Sequence, residues 1–160
     1  MSKDTIKTVA MGRRQMLKSV GLGAVALAGA GLQSGEAQAT PEKATKYLKK
    51  MTGGKASKEG RVNVKLPEIA ENGRTVPITI SIDSPMTDSD HVKSVYVVAE
   101  GNPSPEVISF NMSPAMGKAE VSTRMRLGKT QNVRAAAIMS DGSVYSGLKQ
   151  VKVTIGGCGG

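Results

Sequence analysis

Tryptophan is absent from this 160-residue sequence, phenylalanine, histidine and cysteine each occur once, and aromatics make up 2%. Each scarcity removes a class of function. With one cysteine no internal disulfide can form, so the fold must rest on an apolar core of ordinary domain size. One cysteine and one histidine are too few soft ligands for zinc, and the acidic residues show no calcium-loop spacing, so no metal site is expected. A cysteine nucleophile needs a neighbouring base, and the single imidazole, His91, follows Asp88-Ser89-Asp90 in a turn-like stretch where it reads as structural. Asp88 and Asp90 read as caps for backbone amides, not as an acid–base pair. No catalytic residues are therefore assigned. The most apolar stretch, residues 19–32, is rich in Gly and Ala. It falls short of the roughly 20 strongly apolar residues that span a membrane.

That stretch instead fits the middle of an export leader. Before it stands Arg13-Arg14-Gln15-Met16-Leu17-Lys18, which is similar to a twin-arginine signal, and after it Ala37-Gln38-Ala39, a small-residue cleavage site. Cleavage between Ala39 and Thr40 leaves 121 residues, one domain's worth, bound for the periplasm without a membrane anchor. The leader holds five Lys/Arg and two Asp/Glu, so its loss takes the formal charge from +9 to +6. What remains is spread along the chain, without stacking aromatics, which argues against a nucleic-acid partner. The one basic run, residues 43–58, reads as a solvated helix face and linker.

Period and punctuation then divide the domain. Pro41-Glu42-Lys43 opens a helix through about Thr52, with Ala44, Tyr47, Leu48 and Met51 at helical spacing, and Gly53-Gly54 ends it. From Arg61 the period becomes two: Val62, Val64 and Leu66, then Val76, Ile78, Ile80 and Ile82. Further strands are expected at 92–99, 106–112, 118–127 and 132–139, with an Asp141-Gly142 hairpin into Val144-Tyr145 and a last strand at 150–155 anchored by Val151, Val153 and Ile155. Seven or so short strands predict an all-β fold, an antiparallel immunoglobulin-like β-sandwich with a short N-terminal helix and a flexible C-terminal arm. The divisions are a leader at 1–39, helix and linker at 40–60, sandwich at 61–155 and arm at 156–160. Met86, Met112, Met116, Met125 and Met139 offer thioethers suited to Cu(I), but their spacing mostly follows the inward pattern and favours core filling.

What remains as chemistry is Cys158, flanked by Gly156-Gly157 and Gly159-Gly160. Glycine makes a thin, mobile backbone, so a lone thiol there reads as a covalent carrier able to enter another protein's cleft. An unpaired cysteine in an exported chain would otherwise be a liability.

The run Val151-Lys152-Val153-Thr154-Ile155-Gly156-Gly157-Cys158-Gly159-Gly160 closely resembles the terminus of the SoxY family, the sulfur carriers of bacterial thiosulfate oxidation. The resemblance extends to Leu66-Pro67-Glu68-Ile69-Ala70-Glu71-Asn72-Gly73, Asp83-Ser84-Pro85-Met86-Thr87, Asn102-Pro103 and Arg124-Met125-Arg126-Leu127. It implies a carrier that catalyses nothing, holds no cofactor beyond sulfur bound covalently to Cys158, and pairs with a SoxZ-like subunit exported with it. It further implies a haem cytochrome that joins thiosulfate to Cys158, a metal-dependent hydrolase that releases sulfate, and a sulfane dehydrogenase as a further partner. Two other readings stand beside it. Gly159-Gly160 could serve a ubiquitin-like carrier through a terminal thiocarboxylate, although that chemistry belongs with cytoplasmic adenylation. Alternatively, Cys158 could join two copies of a structural or adhesion sandwich through a disulfide.

Overall fold

A computed structural model describes residues 40–157; the leader residues, including Arg13, Arg14 and Ala39, and the tail residues Cys158, Gly159 and Gly160 lie outside them. The first element of the described residues is a helix, α1 (Pro41–Met51), whose boundaries follow from its ends. Thr40 is the N-cap, its hydroxyl accepting from the Lys43 amide, Pro41 opens the first turn, and Lys49 and Lys50 sit in the last. Gly53 and Gly54 then take φ of 66° and 76°, where a side chain would be strained, and the Gly54 amide closes on the Lys49 carbonyl.

Nine strands follow: β1 (Lys58–Glu59), β2 (Val62–Lys65), β3 (Ile69–Asn72), β4 (Val76–Ile82), β5 (Val92–Ala99), β6 (Glu106–Asn111), β7 (Glu120–Met125), β8 (Gln131–Met139) and β9 (Val144–Ile155). The larger sheet runs β1-β9-β8-β5-β6, with β3 also on β9, and the smaller runs β2-β4-β7. The fold is the expected β-sandwich. Alternation built it: Val76, Ile78, Ile80 and Ile82 from the smaller sheet meet Val95, Val97, Val133, Ala135 and Ala137 from the larger, all buried in one core. On the other side of the larger sheet α1 lays Ala44 and Leu48 over Val98, Ala136 and Val144. Burying Leu48 there contributes on the order of 1.5–3 kcal/mol and fixes the helix to the sheet. Glu100, buried beside this face, is met by Arg134 at 3.0 and 3.1 Å and by the Asn132 amide at 3.1 Å, so its charge is paired.

Three expectations need correction. The sheet is mixed: β1 and β3 pair parallel with β9, although the long pairs are antiparallel. These strands of two and four residues cover an edge of β9 that would otherwise be open, and segments so short carry no readable period. The final strand is one ribbon of 12 residues, not two pieces. Ile155 is 67% exposed rather than anchoring, because β8 stops pairing at Val151 and β9 runs on with only β3 beside it.

The β8–β9 hairpin forms where Asp141-Gly142 predicts it, with Gly142 at φ 78°. Hydrogen bonds from the Ser143 hydroxyl and amide hold the Asp141 carboxyl below the usual carboxylate range. Of the five methionines weighed as thioether ligands, Met86, Met112, Met125 and Met139 are buried, which fits core filling, while Met116 is 46% exposed. His91 places Nδ1 3.0 Å from the Thr87 carbonyl oxygen, inside its own turn. Asp90 does not cap an amide with its carboxylate; it takes the Arg61 guanidinium at 3.0 Å, a closer match for a charged group than a backbone N–H. No helix among the described residues is long and apolar enough to cross a membrane.

Candidate functional site

The end of β9 runs into a slot made by two loops. On one side is the β3–β4 turn at Gly73-Arg74; on the other is the β7–β8 loop at Leu127-Gly128. The backbone groups are used in sequence across it. Gly73 N–H donates to the Ile155 carbonyl at 2.7 Å, Leu127 N–H to the Gly73 carbonyl at 2.8 Å, and Gly157 N–H to the Leu127 carbonyl at 3.0 Å. Three segments remote in sequence are thus stitched around the last described residue, Gly157, which is buried.

The slot takes in the first residues of the expected arm. Gly156 and Gly157 stood in the sequence as its flexible root; Gly157 is buried, and Gly156, though exposed, has one side close against the Gly128 backbone. A Cβ on Gly157 would meet the Gly73 carbonyl oxygen at 2.8 Å and the Arg74 Cα at 3.0 Å, and one on Gly156 would fall on the Gly128 carbonyl oxygen. The absent side chain serves close backbone approach here, the other use of the same glycine property. Gly73 is matched to it, since a Cβ there would fall on the Leu127 carbonyl oxygen and stand 2.8 Å from the Gly157 nitrogen.

Gly157→Ala is therefore expected to lift the tail out of the slot while leaving the core intact. Hydrogen exchange should show the Gly157-equivalent amide losing protection, with global stability changed by no more than about 1 kcal/mol, the scale of one hydrogen bond. Retained protection would mean that the slot tolerates a methyl group.

Asn102, 2% exposed, holds the second loop in shape. Its Nδ2 donates to the Arg126 carbonyl at 2.9 Å, and its Oδ1 accepts from the Gly128 amide at 3.0 Å and from Gln131 Nε2 at 2.8 Å. A buried amide whose oxygen and nitrogen both have partners positions a loop more firmly than apolar contact would. Next to this clamp a cleft of about 330 Å³ is lined by Arg74, Arg124, Arg126, Thr75, Asn102 and Ser104, with Glu106, Val107 and Met125 completing its wall.

Sequence reading singled out Cys158 and its glycines but gave no role to Gly73, Asn102, Leu127 or the three arginines. Their signal was present as the stretches around 66–73, 102–103 and 124–127. Three of the four internal segments that carried the family resemblance meet at the tail slot, whereas 83–87 lies elsewhere, with Met86 buried at φ 52° and the Asp83 carbonyl accepting from Arg61. Among the described residues, no group of three or more His, Cys, Asp or Glu side chains comes together.

Comparison with known proteins followed the same lines. The chain matches the family described as sulfur oxidation protein SoxY over residues 48–158. It is similar in structure to the sulfur carrier protein SoxY from Chlorobium limicola f thiosulfatophilum, with 34% identity, 72% of this chain and 100% of that one covered, and a TM-score of 0.61. Superoxide reductase (neelaredoxin) from Ignicoccus hospitalis aligns with 16% identity, 59% of this chain, 80% of its own and a TM-score of 0.51, a likeness of fold alone. No curated protein matches.

Proposed function

Because this chain belongs to the SoxY family and is a sulfur-oxidation carrier rather than an enzyme, we propose that it bears its sulfur cargo covalently on the thiol of Cys158 and hands it between periplasmic enzymes of thiosulfate oxidation. Membership brings Sox-system partners in general. The finer reading is a heterodimer with a SoxZ-like subunit, served by a cytochrome, a sulfate-releasing hydrolase and a sulfane dehydrogenase, with no resident cofactor. Export uses Arg13-Arg14, and the mature chain begins at Thr40.

The observation that carries this reading is the slot that holds Gly156 and Gly157. Residue 158 follows directly in sequence on the last stitched backbone group, Gly157. A tail fastened by so few hydrogen bonds can be released into a partner's cleft and returned, which a cargo visiting several enzymes requires. The exposed Ile69, Leu148 and Ile155 on β3 and β9 give a companion subunit apolar area to cover.

The test is the intact mass of the native protein before and after reduction, followed by mapping of the tail peptide. Sulfur adducts removed by reductant and located on Cys158 are expected. Sulfur on the terminal carboxylate would instead favour the ubiquitin-like reading, and a homodimeric disulfide with no adduct at all would favour the structural one.

A further inference from the structure

Among the described residues the ion pairs are Arg61–Asp90, Lys118–Glu120 and Arg134–Glu100, which leaves Arg74, Arg124 and Arg126 with no carboxylate within 4.0 Å. All three are exposed, and all three line the cleft of about 330 Å³ beside the tail slot, where Glu106 is the one acidic residue. Strand pairing brings them together: β7 carries Arg124 opposite Pro77 at the start of β4, Arg126 follows β7 directly, and the turn before β4 carries Arg74. Lys129, exposed in the same loop as Leu127 and Gly128, adds a further cation. Like charges so gathered repel one another, and an acidic surface brought against them relieves the repulsion. A small free anion is a poor match for this cleft. Its buried polar side chain, Asn102, already has its oxygen and nitrogen engaged by Gly128, Gln131 and the Arg126 carbonyl, and the guanidinium groups stand in water. A permanent subunit is a poor match too, because lasting interfaces are apolar at their centre and this lining is mostly charged or polar. Exposed Ile69, Leu148 and Ile155 offer such apolar area on β3 and β9 instead. Charge-rich contact suits an encounter that forms fast and parts again, and guanidinium forks match carboxylates. The cleft also lies where such an encounter is useful. A Cβ on Gly157 would stand 3.0 Å from the Arg74 Cα, and Asn102, on the cleft wall, holds the Gly128 that packs on Gly156.

We propose that Arg74, Arg124 and Arg126 form a docking surface for the partner enzymes, recognising a rim of Asp and Glu side chains around the entrance of each enzyme's active-site cleft. This rests on the carrier reading and deepens it, since it gives separate partners one common handle beside Gly157. The acidic rim is drawn to the arginines at a distance, the two proteins are oriented before they touch, and the entrance comes to lie next to the slot. Because the contact is exposed and screened, it hastens arrival without prolonging the stay. A carrier that must leave one enzyme for the next is not held back by it.

The test uses the full mature chain bound to its companion subunit and follows its association with the cytochrome, the hydrolase and the dehydrogenase by stopped flow. At low salt an Arg124→Gln/Arg126→Gln variant is expected to associate about three- to tenfold more slowly than the parent, with dissociation nearly unchanged, the pattern of steering lost at a rim. Salt at about 1 M, which screens charges beyond about 3 Å, should erase the difference. Arg124→Lys/Arg126→Lys should restore the rate, and a carbodiimide should then join the two substituted side chains to Asp or Glu of the enzymes, as read by mass spectrometry of the linked peptides. Tetrathionate supplies the control. The Cys158 thiolate attacks its central S–S bond, a new S–S bond forms to one half, the other half leaves as thiosulfate with the electron pair, and the same adduct mass should appear on parent and variants. Association as fast as the parent's with all three enzymes, alongside normal loading, would overturn the docking surface and leave the carrier reading intact. So would loss of the companion subunit from Arg124→Gln/Arg126→Gln, which would make the cleft part of a permanent interface. A difference abolished by sulfate but not by chloride at equal ionic strength would overturn it as well, by making the cleft a small-anion site. Absence of any adduct on the parent's Cys158 would overturn both readings.

Discussion

Gly147→Ala should remove about 3 kcal/mol of stability, the upper end of what overpacking a dense core usually costs, with a melting midpoint roughly 10 °C lower. Gly147 sits inside β9, paired with Ala135 on β8, where β2 of the opposite sheet lies close against it. A Cβ there would fall on the Val62 carbonyl oxygen, with the Val62 carbonyl carbon at 3.2 Å and its Cγ1 at 3.3 Å. These atoms cannot yield cheaply, because Val62 is buried and in register with Ile82 of β4. The backbone of Gly147 is not in the left-handed region, so the cost is steric alone. Gly142→Ala separates the two effects. Its φ is 78°, but an added Cβ meets only the flexible end of Lys55 at 2.7 Å, so about 1–2 kcal/mol of backbone strain is expected. Urea melts of both variants would check the pair. A Gly147→Ala protein within about 0.5 kcal/mol of the parent, the range of an ordinary surface change, would contradict this sheet crossing.

Gly147 also shows where the sequence was readable and where it was not. Alternation placed β2 and β4 almost to the residue, because a half-buried strand must alternate and these do so without interruption, while β5 was placed by its dense apolar run. The helix was readable for the same reason, with a cap and a glycine stop at its ends. Inside β9, by contrast, Ser146-Gly147-Leu148 breaks the period and reads as a gap between two strands. It is a crossing, and a glycine required by another strand's backbone looks in one dimension like a glycine that ends its own. The parallel pairs of β1 and β3 were hidden because each involves no more than four residues, whose partners lie more than eighty positions away.

The tail repeats the ambiguity. Gly156 and Gly157 were legible as important, but glycine gives the same letter for freedom and for close contact, and only the opposing Gly73 and Gly128 decide between them. Arg124 and Arg126 were legible as part of the strand expected at 118–127. That they share a cleft with Arg74 depends on β4 and β7 being neighbours, which one sequence does not state.

Cys158→Ser should abolish sulfur loading altogether while leaving the fold unchanged. A thiol reaches the thiolate state near neutral pH and its sulfur forms exchangeable bonds to other sulfur atoms, whereas a serine hydroxyl stays protonated and supplies no such bond. The core contacts, the β3 and β9 pairing and the Gly157–Leu127 hydrogen bond are all made by residues 40–157, so thermal stability should match the parent within about 0.5 kcal/mol. Three measurements on one preparation separate the possibilities. Intact mass after tetrathionate treatment should show the adduct in the parent and none in the variant. Hydrogen exchange should show the Gly157 amide equally protected in both, so that lost loading is not mistaken for a displaced tail. Thiosulfate-dependent turnover, reconstituted with the partner enzymes, should fall to background with the variant. A serine protein that still sustained turnover would remove Cys158 from the mechanism, and one that lost only a disulfide-linked dimer while turnover persisted would make the cysteine a structural link.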